Sequence, residues 1–162
     1  MKANSLFKTS ASLIFCFLLF GFAMNASAQE KKQAFTKHFK ETVFDITSKA
    51  KFSVEILLDD KEYKKLGKDV VGIVIHSARD EDVEKAVISI DFRNLETGEP
   101  AKEKPIVKER GDGLYIVSDL DLKKAGRWKL SVTVKKDSDE DSVQFLFPDV
   151  LKDRLPAGRY NP

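Results

Sequence analysis

An acidic segment in the C-terminal third of the chain carries the spacing of a calcium-binding loop. Asp137, Asp139 and Asp141 occupy alternate positions, as the first three ligands of such a loop do. The glycine and the closing glutamate of an EF-hand are missing, because Ser142 and Pro148 stand at those positions. The pattern excludes an EF-hand and leaves two alternatives: an irregular metal site of oxygen ligands, or a charged hairpin tip that discourages edge pairing.

Ligands for soft metals are scarce in the sequence. The methionines Met1 and Met24 and the single cysteine, Cys16, all fall within the first 28 residues. The two histidines are His38 and His76, and we expect His76 to be exposed on the outward face of its strand. Copper sites need thioether, thiolate or several imidazole ligands. The sequence therefore predicts no His/Met metal site, no disulfide and no cofactor.

The sequence contains no recognisable catalytic motif. It has no Gly-x-Ser-x-Gly, no His-Glu-x-x-His and no glycine-rich phosphate loop, which are the short motifs with a chemical mechanism behind them. Acid pairs such as Asp80 and Asp82 could do acid–base chemistry, but 26 acidic residues spread along the chain are more typical of a solvated surface. We predict that the protein is not an enzyme and has no catalytic residues.

The first 28 residues have the pattern of a secretory signal peptide. Lys2 and Lys8 precede an apolar run at residues 13–23, and Ala26-Ser-Ala28 is a small-x-small cleavage site. The apolar run is shorter than the roughly 20 residues of a membrane-spanning helix. We therefore predict cleavage, a periplasmic or secreted location and no membrane span afterwards, with an uncleaved anchor as the alternative.

The charge balance argues against a nucleic-acid partner. The chain has 28 basic and 26 acidic residues, and two of the basic ones lie in the predicted signal peptide. The remainder is formally neutral, with the two signs interspersed, which is typical of a solvated surface and unlike a basic nucleic-acid footprint.

Short runs of alternating apolar and polar residues recur along the rest of the chain. Period two with one polar face is typical of half-buried antiparallel strands, and no helical stretch long enough for a parallel crossover separates the runs. This spacing of strands and turns predicts an all-β fold, an immunoglobulin-like antiparallel β-sandwich of seven or eight strands. The predicted strands are residues 42–47, 51–58, 69–77, 85–93, 106–109, 114–117, 128–135 and 143–147.

The strand pattern divides the chain into four parts. Residues 1–28 are the predicted signal peptide, and residues 29–50 are a polar lead-in, loose to about residue 40 and followed by an edge strand. The sandwich itself is expected over residues 51–148, and residues 149–162 form a C-terminal tail.

The segment from residue 113 to residue 134 should form a corner of the core. Gly126 can adopt the backbone angles of a corner, and Trp128, the only tryptophan, can bury roughly 150–250 Å². With Tyr115 on the preceding strand, these residues are predicted structural anchors rather than a binding site. The search for function then moves to the loops at residues 59–68, 78–84 and 136–142 and to the polar lead-in and the tail.

The same corner resembles a known family. The pattern Gly113-x-Tyr115 and Gly126-x-Trp128-x-Leu130-x-Val132-x-Val134, with Leu122 between its two halves and Phe145 and Phe147 after them, is similar to that of YtkA-like and FixH-like exported domains. The resemblance covers roughly residues 51–148 and implies an envelope-facing sandwich, in some members linked to metal handling or to assembly of membrane oxidases. The chain departs from the family at residues 78–84, where the usual Asp-x-x-Gly-x-Pro turn is replaced.

Two functions remain open at this point. The first is an exported, non-catalytic envelope module that contacts another envelope protein or assists assembly. The alternative is a metal-ion or small-ligand carrier, which the resemblance and the acidic segment at Asp137, Asp139 and Asp141 suggest.

Overall fold

The structure, a computed structural model, describes residues 32–58, 70–120, 124–152 and 155–162. These residues fall in one compact unit, Lys31–Pro162. The predicted signal peptide at residues 1–28, the whole loop at residues 59–68, and Leu122 lie outside the described residues. Within the described ranges, no helix is long and apolar enough to cross a membrane.

Ten strands run through the described part of the chain, and each pairs with its neighbours in antiparallel fashion. A short 3₁₀ helix follows the ninth strand. The elements are β1 (Phe35–Lys37), β2 (Thr42–Ile46), β3 (Phe52–Leu57), β4 (Val71–Ser77), β5 (Val87–Asn94), β6 (Ile106–Gly111), β7 (Leu114–Ser118), β8 (Trp128–Lys136), β9 (Asp139–Phe147), the 3₁₀ helix (Asp149–Leu151) and β10 (Gly158–Tyr160).

Eight of these strands form the two sheets of a β-sandwich. One sheet has the order β2-β3-β4-β7-β6 and the other the order β5-β8-β9. The residues that alternate inward on each strand meet in one core, because a sheet with period-two patterning buries one face. The predicted antiparallel sandwich is therefore confirmed. Its buried core includes Val54, Ile56, Ile73, Ile75, Tyr115, Val117, Leu130, Val132, Val134, Phe145 and Phe147.

The acidic segment predicted as a hairpin loop is mostly strand. β8 and β9 stay paired up to Lys136 and Asp139, so the turn contains only two residues. Two-residue hairpin turns favour positive φ, and Asp137 has a φ of 53°, which aspartate tolerates better than most residues. Asp139 and Asp141 lie on the face of β9 that also carries Val143 and Phe145; Asp139 is exposed near the strand end, whereas Asp141 is buried.

The remaining two strands form an additional layer that the sequence did not predict. β1 comes from the lead-in and β10 from the tail, and they pair with Phe35 opposite Tyr160. This pair, called the outer layer below, lies on the outward face of the five-stranded sheet, where the Tyr160 and Phe44 rings are 5.0 Å apart. Three-residue strands show no periodicity of their own, and the two ends pair only once the sandwich has formed.

Candidate functional site

The three residues predicted as structural anchors lie in or beside the core. Tyr115 is buried, and its hydroxyl donates to the carbonyl oxygen of Val83 at 2.8 Å and accepts the backbone N–H of Ala86 at 3.1 Å. Gly126 has a φ of 96°, and the indole N–H of Trp128 donates to the Ala125 carbonyl at 2.9 Å. The two hydrogen bonds of the Tyr115 hydroxyl fix residues 83–86, which lead into β5.

The three candidate metal ligands do not converge. Asp137 is 83% exposed at the hairpin turn, and Asp139 forms an ion pair with Lys51 at 3.2 Å. Asp141, by contrast, is 3% exposed. Across the described ranges, no three His, Cys, Asp or Glu side chains are grouped in a way that could hold a metal ion.

Asp141 instead joins the turn between β2 and β3 to strand β9. Burial would raise the pKa of the Asp141 carboxyl, but hydrogen bonds from Thr47, Ser48 and backbone N–H groups lower that pKa to about 2. The carboxylate accepts the Ser48 hydroxyl at 2.9 Å and the N–H groups of Lys49 and Ser142 at 2.9 and 2.8 Å. Its hydrogen-bonding capacity is largely used within the fold, so it is a structural carboxylate.

Four connecting segments meet at one end of the sandwich, which we call the loop end. They are the β2–β3 turn at residues 47–51, the β4–β5 connection at 78–86, the β6–β7 turn at 112–113 and the β8–β9 turn at 137–138. The Asp112 N–H donates to the Glu84 carboxylate at 3.1 Å, which ties the third segment to the second. Two of the three loops selected from the sequence, 78–84 and 136–142, are thereby brought together.

A cleft of about 650 Å³ opens between these segments. Its walls are mostly charged and carry both signs, and ion pairs such as Lys51–Asp139 cross from one segment to another. The cleft is therefore a polar surface feature rather than an apolar cavity. Its lining includes Lys51, Arg79, Glu81, Asp82, Glu84, Lys85, Lys136, Asp137 and Asp139.

The backbone of the loop end is held in unusual conformations. Ala50, Asp80, Lys85 and Asp137 all have a positive φ, between 52° and 66°. Such conformations are costly for residues with a side chain and persist only where the surrounding structure fixes them. The Lys85 N–H, for example, donates to the Glu109 carboxylate at 2.7 Å. The loops around the cleft are thus positioned by the sandwich.

The prediction for His76 was wrong. It does lie on the outward face of β4, opposite to Ile73 and Ile75, but it is only 6% exposed because the outer layer covers that face. Its ring centroid lies 4.3 Å from that of His38 at an interplanar angle of 31°. Both histidines of the chain therefore meet beneath the edge of the outer layer.

Three carboxylates surround this histidine pair. His76 Nε2 lies 3.1 Å from Asp82 Oδ1, and His38 lies 3.8 Å from both Glu55 and Asp80. Burial and the neighbouring His38 lower the pKa of His76, against the opposing effect of the carboxylates. His76 Nδ1 and Asp80 Oδ1 are buried without a hydrogen-bond partner. The five side chains His38, His76, Glu55, Asp80 and Asp82 form what we call the histidine cluster.

A signal for this buried face was present in the sequence. β4 belongs to a nearly continuous apolar run from Val70 to Ile75, and such runs are typical of strands covered on both faces. Val74, on the same face as His76, is 7% exposed. The pattern could have indicated that His76 was covered, although nothing in it named the covering segments.

The sequence profile of the YtkA-like family matches residues 48–133. The chain belongs to the YtkA-like family. The match covers the strands from β3 into β8 and three of the four connections of the loop end. The β8–β9 turn and the outer layer lie outside it. No curated protein matches the chain by sequence.

Solved structures with some similarity to this YtkA-like chain are distant. A copper-bound variant of FetP from uropathogenic Escherichia coli is 13% identical, with a TM-score of 0.37, over 70% of this chain and 95% of that one. A DUF4426 family protein from Pseudomonas aeruginosa is 14% identical, with a TM-score of 0.38, over 68% of this chain and 92% of that one. Similarity at this level carries no argument about this chain.

Proposed function

We propose that this YtkA-like protein is an exported, non-catalytic envelope module that presents its loop end to another envelope protein. The observation that carries the proposal is the cleft between residues 78–85 and 136–139, whose backbone is fixed in conformations that the sandwich must enforce. Loops positioned by a rigid scaffold are a common place for binding residues.

The chemistry of the cleft favours a protein partner. Small-molecule sites are mostly apolar with a few polar groups, whereas this cleft is lined largely by lysine, arginine, aspartate and glutamate. Arg79 and Glu81 are 72% and 62% exposed. Charges of this kind steer and orient a complementary protein surface more than they add affinity.

The location follows from the N-terminal sequence. The basic start, short apolar run and small-x-small site of residues 1–28 support export to the periplasm or beyond. Non-catalytic action is supported by the sequence, which offers no motif for nucleophilic, metal or phosphate chemistry. We therefore expect the protein to act by contact, as an assembly or accessory factor.

Site-specific photo-crosslinking in cells tests the interaction. A photoreactive amino acid at Arg79 or Ser138 should give an adduct with one envelope protein, because both residues are exposed at the loop end. The matched controls are Ser89 and Gln144, exposed residues on strands of the three-stranded sheet, which should give no such adduct. Equal labelling from all four positions, or none from the loop end, would contradict the proposal.

Charge reversal provides an independent measurement. Binding of the captured partner to an R79E/K85E double variant should weaken about tenfold or more, and wild-type binding should weaken with added salt. K102E changes the same kind of charge in the distant β5–β6 connection and should leave the affinity unchanged. Equal loss in both variants would point to net charge rather than to the loop end.

The second candidate is a metal-ion or small-ligand carrier, and the same cleft is the place for it. Its volume of about 650 Å³ is within the range of small-molecule sites, and Asp137 and Asp139 line it. Calorimetric titration of the mature protein with Ca²⁺ and Cu²⁺ tests this second function. Submillimolar binding that is lost in a D137N/D139N variant would support the carrier, and no binding below millimolar would exclude it for those ions.

A further inference from the structure

We propose that the contact between His38 and His76 is a pH-sensitive clasp: protonation of the buried His76 as the pH falls releases the outer layer, β1 and β10, from the five-stranded sheet. This inference does not rest on the loop-end interaction, because it concerns the outward face of the five-stranded sheet. The two sites are neighbours, since Asp80 and Asp82 of the histidine cluster belong to the β4–β5 connection and Asp82 also lines the cleft.

The clasp rests on the position of the two rings. His76 is 6% exposed, with Nδ1 buried and unpartnered, so a proton on that nitrogen would place a charge where no hydrogen-bond acceptor receives it. His38 directly follows β1 and stacks at 4.3 Å between centroids. Two imidazolium ions at this separation repel each other, and buried charges without partners are costly.

The surrounding charges offset this cost only in part. Among the described residues, the charged groups beside the pair are Asp80 and Asp82 from the β4–β5 connection and Glu55 from β3, with Arg159 of β10 next to Asp80. Lys37 of β1 donates instead to the Thr42 and Leu155 carbonyls. Glu55 already accepts the N–H groups of His38 and Phe39 at 3.0 and 2.9 Å. Asp80 accepts the Thr36 hydroxyl at 2.7 Å and lies 3.9 Å from the Arg159 guanidinium. Both carboxylates hold the outer layer, Glu55 through its two oxygens and Asp80 through Oδ2, so of these four oxygens only Asp80 Oδ1 is without a hydrogen bond.

Outward movement of His38 is the simplest relief. The His38 side chain is 34% exposed, whereas His76 is enclosed on its strand. If His38 leaves, its backbone N–H no longer holds Glu55, and the end of β1 loses a tether to β3. The core strands need not move, because the hydrophobic core cluster includes neither His38 nor His76.

The direction of the pH effect follows from proton linkage. Burial, together with His38, lowers the pKa of His76 below its ordinary value of 6.5. Below pH 6.5 the closed form therefore binds fewer protons than an opened form. The closed form is favoured above that pH, and its population decreases as the pH falls. For one proton, the opening equilibrium can rise by up to about tenfold per pH unit.

Hydrogen exchange of the mature protein measures this opening. After correction for the intrinsic exchange rate, peptides covering residues 32–40 and 155–162 should show an opening constant about two- to fivefold larger at pH 5.5 than at pH 6.5. Peptides from β8 should show no such change. Opening constants at the two termini that do not depend on pH would overturn the clasp.

Two variants assign the effect to the pair. His38→Gln removes the neighbouring charge at a half-exposed position and should reduce the pH response at the termini, while His76→Gln should abolish it. The chain has two histidines, so an NMR titration of the wild-type imidazole signals reports this pair even if His76→Gln fails to fold. An undiminished pH response in H38Q, a response that persists in H76Q, or a His76 signal that titrates at or above 6.5 would contradict the proposal.

Discussion

At the scale of single residues, the structure differs from the sequence-based expectation mainly in the burial of charged and polar side chains. Asp141 looked like a metal ligand because of its spacing, yet its carboxylate is buried and receives hydrogen bonds from the β2–β3 turn. His76 looked exposed and is covered. Burial and hydrogen-bond partners are set by distant segments, and they decide what a carboxylate or an imidazole does.

Replacing the Asp141 carboxylate should destabilise the protein in a pH-dependent way. The pKa of about 2, compared with 3.8 for an ordinary carboxyl, corresponds to roughly 2 kcal/mol at pH 7. The unfolded chain binds more protons between these values, so this stabilisation is present above about pH 4 and lost as the pH falls toward 2. Asp141→Asn should therefore lower the unfolding free energy by roughly 2 kcal/mol at pH 7, measured by urea denaturation.

The acid dependence and a control make the test specific. The difference between wild type and D141N should shrink as the pH is lowered from 4 to 2. Asp137→Asn, at an exposed position in the same hairpin, should change stability by no more than about 0.5 kcal/mol. A D141N protein as stable as D137N at pH 7 would show that Asp141 is not a structural carboxylate.

At the scale of elements, the loop end depends on a close approach between two turns. Ile75 donates its N–H to the Gly113 carbonyl at 2.9 Å, and the Ile75 carbonyl accepts the Val83 N–H at 3.0 Å. A Cβ on Gly113, where φ is 68°, would lie 2.6 Å from that carbonyl oxygen. The absence of a side chain lets the β6–β7 turn seat against the β4–β5 connection.

Gly113→Ala should therefore lower the free energy of unfolding by more than the positive φ alone explains. We expect a loss of roughly 2–4 kcal/mol, the sum of a left-handed alanine and an overpacked contact. Gly98→Ala is the matched control, because Gly98 has a φ of 73° with open space around it, and it should lose only about 1–2 kcal/mol. Thermal unfolding measures the loss of stability in both variants. Equal losses would mean that the close approach to the Ile75 carbonyl adds no cost at Gly113.

At the scale of the whole molecule, the chain is a sandwich with its two ends folded back together over one face. The core of buried residues belongs to the two large sheets. The outer layer is attached through the Phe44–Tyr160 ring contact and through polar contacts such as Lys37 to the Thr42 carbonyl at 2.8 Å. We infer that this layer is less stable than the sandwich, because its buried residues, Phe35 and Lys37, lie outside the hydrophobic core cluster and polar contacts contribute less than core packing.

Removing residues 155–162 should separate these two parts. Without β10, strand β1 loses its partner and Lys37 loses the Leu155 carbonyl as an acceptor. We expect amide protection at Phe35–Lys37 to disappear while β8 stays protected, and the Tm to fall by roughly 5–10 °C. Tyr160→Phe, which keeps both strands, is the control. Unchanged protection of β1 in the truncated protein would show that its position does not depend on β10.

Much of the sandwich could be predicted because it depends on local patterns. Residues that alternate on β4 and β8, such as Ile73, Ile75, Val132 and Val134, point inward as their period-two spacing indicates. The edge position of β6 and the turn at Gly98 also followed from local composition. The histidine cluster could not be derived in this way, because its members come from the lead-in, β3, β4 and the following connection.

The sequence by itself determined the family, most of each of the eight sandwich strands and the inward-facing core, since these depend on the spacing of neighbouring residues. Only the tertiary structure decided which polar residues are buried. The pairing of β1 with β10 joins residues that are more than 120 positions apart, and it places His38 against His76 and Lys37 beneath the tail. Such contacts form because the folded sandwich brings the chain ends together, and no local pattern encodes them.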